Sequence, residues 1–182
     1  MKRIILTVVL AAVAAVAANA QISVGIGYGQ KNMSDGDHTL DIGGLYVNAD
    51  YNLPIASDIC VAPGIAFSYV TSSKNDDDFA MTYLDVPVNF NYAFPLADGF
   101  KLGVYAGPTL SLGVTGTAND GNIDLYKDLD YNRFDILVGG GIALDVMDMI
   151  RVSVGYNKGL LARIENSDVK IGGVHFGVAY LF

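Results

Sequence analysis

The stretch YLDVPVNFNYAF occupies residues 83–94. Leu84, Val86, Val88, Phe90, Tyr92 and Phe94 fall on one parity, while Tyr83, Asp85, Asn89 and Asn91 fall on the other. Successive side chains of an extended strand point to opposite faces, so this is a strand with one wholly apolar face and one polar face. A single strand does not say whether its apolar face meets a protein core or lipid. The rest of the chain decides.

The same period-2 pattern recurs over 21–30, 40–53, 59–71, 80–94, 100–115, 133–146, 150–161 and 169–182, which predicts eight strands. Three connections are short: PIAS (54–57), PLADG (95–99) and MDM (147–149). The connections between them are longer and acidic: KNMSDGDH (31–38), SSKNDDDF (72–79), GTANDGNIDLYKDLDYN (116–132) and ARIENSD (162–168). Short and long connections alternating at opposite ends describe an up-and-down sheet whose two ends face different environments.

The bulky apolar parity is continuous through all eight segments, from Ile22, Val24 and Ile26 in the first to Val174, Phe176 and Val178 in the last. The opposite parity is small and polar, with Ser23, Gly25, Gly27, Asn48, Asp50, Gly64, Ser111, Gly139 and Ser153. A soluble barrel turns its bulky face inward. Here that face fits lipid, and the small polar face fits a narrow lumen. The aromatics support this. Tyr51, Tyr92, Phe94, Phe100, Tyr180 and Phe182 gather at the short-turn end, and Tyr28, Phe67, Tyr69, Phe134 and Tyr156 toward the long-loop end. Two belts flanking an aliphatic band are the pattern of rings held at headgroup level. The fold class read from the sequence is all-β, an eight-stranded antiparallel up-and-down transmembrane β-barrel. Strict parity also puts Lys158 on the lipid face, where it either snorkels beyond the outer belt or marks a bulge at Gly155 or Gly159.

Residues 1–20 read as a signal peptide. MKR is followed by the apolar IILTVVLAAVAAVAA, and Ala18 and Ala20 frame a cleavage site after Ala20. The domain reading is therefore a signal peptide over 1–20 and a barrel over 21–182. Without Lys2 and Arg3, nine basic residues face 19 acidic ones, a net charge of −10. That balance excludes nucleic acid as a partner, since phosphate binding needs clustered cations. Cys60, the one cysteine, cannot form an internal disulfide and reads as a small packed side chain. Mean hydropathy is +0.36, yet past residue 20 no run approaches the 18 or more apolar residues of a membrane helix.

TYLDVPVNFNYAF (82–94), KLGVYAGPTLSLGVTG (101–116), FDILVGGGIAL (134–144) and the GVAYLF ending resemble the PorT-like outer-membrane β-barrel family of Bacteroidetes-type bacteria. More distantly the strand count is similar to the small OmpX and OmpA barrels. The resemblance implies an outer-membrane location, outer-membrane lipid and lipopolysaccharide as surroundings, and insertion by the barrel assembly machinery. It also implies that Phe176, Val178, Tyr180 and Phe182 are the terminal signal this machinery reads.

The candidate site residues are the lumen charges. Asp50, Asp85, Asp135 and Asp145 oppose Lys101, Arg133 and Arg151, and Tyr46, Tyr83 and Tyr105 point the same way. The expectation is a paired network that closes the barrel, because eight strands leave only room for side chains and buried charges persist when paired. His175 is expected to be a hydrogen-bonded interior histidine. His38, Ser72, Ser73 and Asp76 supply the residue types of a hydrolase or acyltransferase without a fixed spacing. Asp35, Asp37, Asp76, Asp77, Asp78, Asp120, Asp124, Asp128, Asp130, Glu165 and Asp168 crowd the long loops. None follows the EF-hand spacing, so they are expected to form a solvated surface that meets lipopolysaccharide through shared divalent ions. The functional expectation is a non-enzymatic barrel, without cofactor or metal, in envelope structure, adhesion or surface interaction. The alternatives are a narrow porin-like channel and, third, a lipid A-modifying enzyme.

Overall fold

The computed structural model describes residues 21–34, 39–74, 77–119, 122–128, 131–163 and 169–182; the proposed signal peptide lies outside these. The chain forms β1 (Gln21–Ser34), β2 (Thr39–Ala56), β3 (Ile59–Lys74), β4 (Asp77–Ala97), β5 (Phe100–Ala118), the two-residue β6 (Ile123–Asp124), α1 (Leu125–Asp128), β7 (Phe134–Val146), β8 (Ile150–Gly159) and β9 (Lys170–Leu181). Apart from β6, the strands are the eight that the alternation predicts. Each long strand pairs antiparallel with its neighbours, and β9 pairs with β1 from Ser23↔Leu181 to Ser34↔Lys170, which closes the barrel. Among the described residues no helix is long and apolar enough to cross a membrane.

Burial follows parity. Ile22, Val24, Ile26 and Tyr28 are exposed, whereas Ser23, Gly25, Gly27 and Gly29 are buried. The outward side chains run continuously through Phe67, Phe90, Val104, Ile142, Val154 and Phe176. Within the belt at the short-turn end, Tyr92 stacks on Phe94 and Tyr180 on Phe182, at ring separations of 5.3 and 4.8 Å. The alternation is shifted at three β-bulges, whose extra residues are Ile55, Val114 and Leu96. β8 has no such shift: Gly155 and Gly159 both face inward, and Lys158 stays on the outer face. The bulge alternative for Lys158 is thereby excluded.

The long-loop end departs from expectation. Pairing continues through Lys31↔Ile42 and Ser72↔Phe79, so parts of the expected loops 31–38 and 72–79 are strand. The connection 116–132 contains the end of β5, β6 and α1. The cause lies inside the barrel. Ile42, Val70, Met81, Tyr83, Leu137 and Ile171 point inward there and form a buried cluster with Leu125 of α1. A lumen lined only by small and polar residues is correct for the rest of the barrel but not for this end. The strands extend past the bilayer because they enclose a hydrophobic core of their own, which offsets the entropy of ordering them.

Candidate functional site: a lumen closed at both ends

The short-turn end is closed by side chains that the register sets face to face. Asp145 and Arg151 are direct partners across the β7–β8 hairpin. Their contact is bidentate, Nε to Oδ1 at 2.7 Å and Nη2 to Oδ2 at 2.8 Å, the strong geometry for this pair. The remaining arm reaches across the lumen, where Arg151 Nη1 donates to Asn52 Oδ1 on β2 at 3.2 Å. Asn52 in turn donates to Ser23 Oγ at 3.2 Å and to the Gln21 carbonyl at 3.1 Å. Asp50 accepts from Asn48 and, at 3.5 Å, from Ser23. Two carboxylates, a guanidinium, two side-chain amides and a hydroxyl thus span the opening, with Arg151 paired to Asp145 and Asp50 held by neutral donors.

The middle of the lumen is set by rings lying on glycines. A Cβ on Gly27 would strike the Tyr46 ring and the Phe176 carbonyl, and one on Gly155 would strike the Tyr105 hydroxyl. Only glycine lets these tyrosines fold flat over the neighbouring strands. Tyr105 Oη lies 2.8 Å from His175 Nε2, and Tyr46 meets the His175 ring edge-on at 6.4 Å. His175 is therefore a hydrogen-bonded interior histidine. The cavity left around these groups is ≈ 210 Å³, below the roughly 300–1,000 Å³ of ordinary small-molecule pockets.

The long-loop end is closed by a residue that the strand pattern did not single out. Arg163, from the β8–β9 connection, turns back into the barrel and is 1% exposed, opposite Asp135, which is 0% exposed. Their nearest atoms, Arg163 Nε and Asp135 Oδ2, are 3.3 Å apart. The contact is an ion pair by distance and not an aligned hydrogen bond, since neither atom has a hydrogen-bond partner. Asp135 Oδ1 accepts from the Leu161 amide at 3.0 Å. The guanidinium lies 5.2 Å from the centroid of Tyr83, and Lys31 Nζ sits 4.2 Å from the same ring. Arg163 also ties two connections together, because the Asn132 amide donates to its carbonyl and its own amide donates to Val169 O, each at 2.8 Å. The apolar cluster packs around this pair. The barrel is closed here by a plug rather than by narrowness alone.

The seven charges expected to form one network therefore occupy separate places. Asp50, Asp145 and Arg151 share the short-turn closure, and Asp135 belongs to the plug. Asp85 lies between, with Oδ1 buried and unpartnered. Lys101 is drawn out of the lumen to Asp148 in the β7–β8 turn, at 2.6 Å and largely exposed. Arg133 is exposed at the opposite end, donating to the Gly113 and Val114 carbonyls and covering the Tyr126 ring at 4.2 Å. The two stand apart because a long cation near a rim reaches water more cheaply than it desolvates. Sequence reading missed Arg163, Lys31 and Asn52. The one available signal was Arg163 itself, a lone cation in the acidic run ARIENSD.

The four terminal residues Phe176, Val178, Tyr180 and Phe182 all face outward, and the Phe182 amide donates to Ile22 O at 2.8 Å. Of the hydrolase-type group, Ser72 is buried in β3, while His38 and Asp76 lie outside the described residues. Most of the loop acids do too. Asp124, which is described, accepts from the Tyr126 amide at 3.0 Å and pairs with Lys127 at 2.9 Å. The Lys127 ammonium holds its carboxyl below the ordinary value of 3.8.

Residues 4–182 match the family model described as outer membrane protein beta-barrel domain. Among solved structures, Neisserial surface protein A aligns with a TM-score of 0.61 at 18% identity, covering 88% of this chain and 97% of that one. The attachment invasion locus protein Ail of Yersinia pestis, in complex with the heparin analogue sucrose octasulfate, aligns at 0.56 and 17%, covering 90% and 99%. The outer membrane enzyme PagL aligns at 0.51 and 16%, covering 87% and 97%. These likenesses show the fold. No curated protein matches the sequence.

Proposed function

Because the chain belongs to the outer membrane protein beta-barrel domain family and is an eight-stranded barrel of the bacterial outer membrane, we propose that it works from its surface loops and not through its lumen. In this reading it is a non-enzymatic barrel of the cell envelope, acting in adhesion or another surface interaction. The observation that carries the reading is the double closure. The Arg151–Asn52 bridge spans one end, and the Arg163–Asp135 pair within an apolar cluster fills the other. Attachment and invasion stand in the name of Ail, which lends the surface role an analogy of fold and no more. The narrower likeness to PorT-like barrels, the terminal assembly signal, and a loop surface meeting lipopolysaccharide through divalent ions belong to the same proposal.

Single-channel recording of the purified protein in planar bilayers tests it. The expected record is flat. A reproducible conductance that is abolished by substitutions at Asp85 or Arg151 would overturn the reading in favour of a channel. A lipid A mass spectrum altered by the native protein would overturn it in favour of an enzyme.

A further inference from the structure

The outer wall of the barrel carries almost no charge, which makes its exceptions informative. On the outward parity of the long strands, the cations among the described residues are Lys158 on β8 and Lys170 on β9. They flank one position. Lys158 is the register partner of Gly172, and Lys170 lies two residues along β9 from that glycine. The two lysines are thus diagonal neighbours, with side-chain roots roughly 7–8 Å apart. Asn32 of β1 is the partner of Gly172 on its other side and is exposed. Below, the Tyr156 hydroxyl lies against Gly172, where an added Cβ would come within 2.7 Å of it. Two ammonium groups and an amide therefore surround a shallow notch where the wall has no side chain of its own and the Tyr156 phenol covers the buried Gly172 backbone.

The height of this notch decides what it meets. Lys158 is eight residues along β8 from Ile150, and Lys170 is ten residues along β9 from Tyr180 in the belt at the short-turn end. At about 3.3 Å per residue and a strand tilt near 40°, these correspond to climbs of roughly 20 and 25 Å. The apolar band of such barrels is about 25 Å tall. Both ammonium groups, on stems that reach several ångströms further, come level with the phosphates of the outer leaflet. The other charge in this row is Asp41, the β2 partner of Asn32, exposed on the same face two strands from Gly172. The two lysines stand closer to each other, where their mutual repulsion is unfavourable unless an anion lies between them.

We propose that the Gly172 notch is a binding site for the phosphate of an outer-leaflet lipid, with Lys158 and Lys170 as its counter-ions and Tyr156 and Asn32 as hydrogen-bond donors. The contact is direct ammonium to phosphate. It differs from the divalent-bridged contact of the acidic loops and does not depend on whether those loops act in adhesion.

The test is native mass spectrometry of the detergent-purified protein with bisphosphorylated lipid A and with the fully dephosphorylated lipid, each in EDTA. Lysines near an anionic lipid surface are worth about 1 kcal/mol each, so the pair corresponds to roughly 30-fold. The native protein is expected to retain the phosphorylated lipid by about that factor over the dephosphorylated one. K158Q/K170Q should lose it, and K127Q, altered at an exposed lysine of α1, should not. Heat-dependent migration on SDS gels verifies that each variant is a folded barrel, and the two-lipid comparison on the native protein stands without any variant. Less than threefold preference in the native protein, loss of retention in EDTA, or undiminished retention by folded K158Q/K170Q overturns the proposal.

Discussion

Arg163→Ala removes the side chain that closes the long-loop end. Arg163 and Asp135 are 1% and 0% exposed, so solvent screens the pair very little. Deleting one member of a buried pair leaves an uncompensated charge and costs about 3–5 kcal/mol. The low end applies, because the contact is not an aligned hydrogen bond and Arg163 Nη2 has no partner, so the native pair is already incompletely compensated. A loss of about 3 kcal/mol raises the population of an opened plug by roughly 10²-fold, at 1.4 kcal/mol per tenfold. In planar bilayers R163A should show brief openings where the native protein shows none, with the heat-modified gel shift occurring at lower temperature. Replacing both charges with apolar residues of similar volume, as in R163M/D135L, should restore closure, since a well-packed apolar pair substitutes for a buried ion pair at little or no cost. An R163A protein as silent and as heat-resistant as the native one would refute the latch. So would an R163M/D135L protein that opens as readily as R163A.

Three further outcomes are expected. Deleting Phe182 removes one backbone hydrogen bond to Ile22 and the ring contact with Tyr180, about 1–3 kcal/mol together. The assembled barrel should survive this, while the outer-membrane level measured by immunoblot falls several-fold; a normal level would remove the assembly role. Gly27→Ala drives a methyl into the Tyr46 ring and the Phe176 carbonyl. That overpacking should cost about 1–3 kcal/mol and lower the midpoint of urea unfolding in liposomes, and an unchanged midpoint would show that Tyr46 moves freely. For Asp124 the folded carboxyl is held below 3.8 by Lys127, so its contribution to the α1 cap is present above the unfolded value. It is lost as pH falls through the lowered one. The Tyr126 amide resonance should therefore keep its position at pH 5 and move only well below pH 4.

The two closures differ in how they resist opening. The Arg151 bridge is built on strand-to-strand register, so it opens only if neighbouring strands separate. Arg163 enters from a connection, and its withdrawal breaks no sheet hydrogen bond. The R163A variant is therefore expected to open at the long-loop end before the short-turn end.

Strand number, order and lipid-facing parity were legible in the sequence, because a side-chain period of 2 converts residue order directly into a face. Val86, Phe90 and Tyr92 could point one way only once Asp85, Asn89 and Asn91 pointed the other, and two aromatic belts fixed the bilayer between them. Pairing of Asp145 with Arg151 also follows from sequence once the three-residue turn is placed. The plug was not legible. Arg163 lies 28 residues from Asp135 in the sequence, in a connection without periodicity, and their meeting depends on how a loop returns over a closed rim. Lys101 and Arg133 had the right parity for the lumen, but only their height on the strand let them reach the rims. Lys158 and Lys170 were visible one at a time. They became a pair only when the β8–β9 register set both beside Gly172, since alternation gives the face of a residue and pairing alone gives its neighbours.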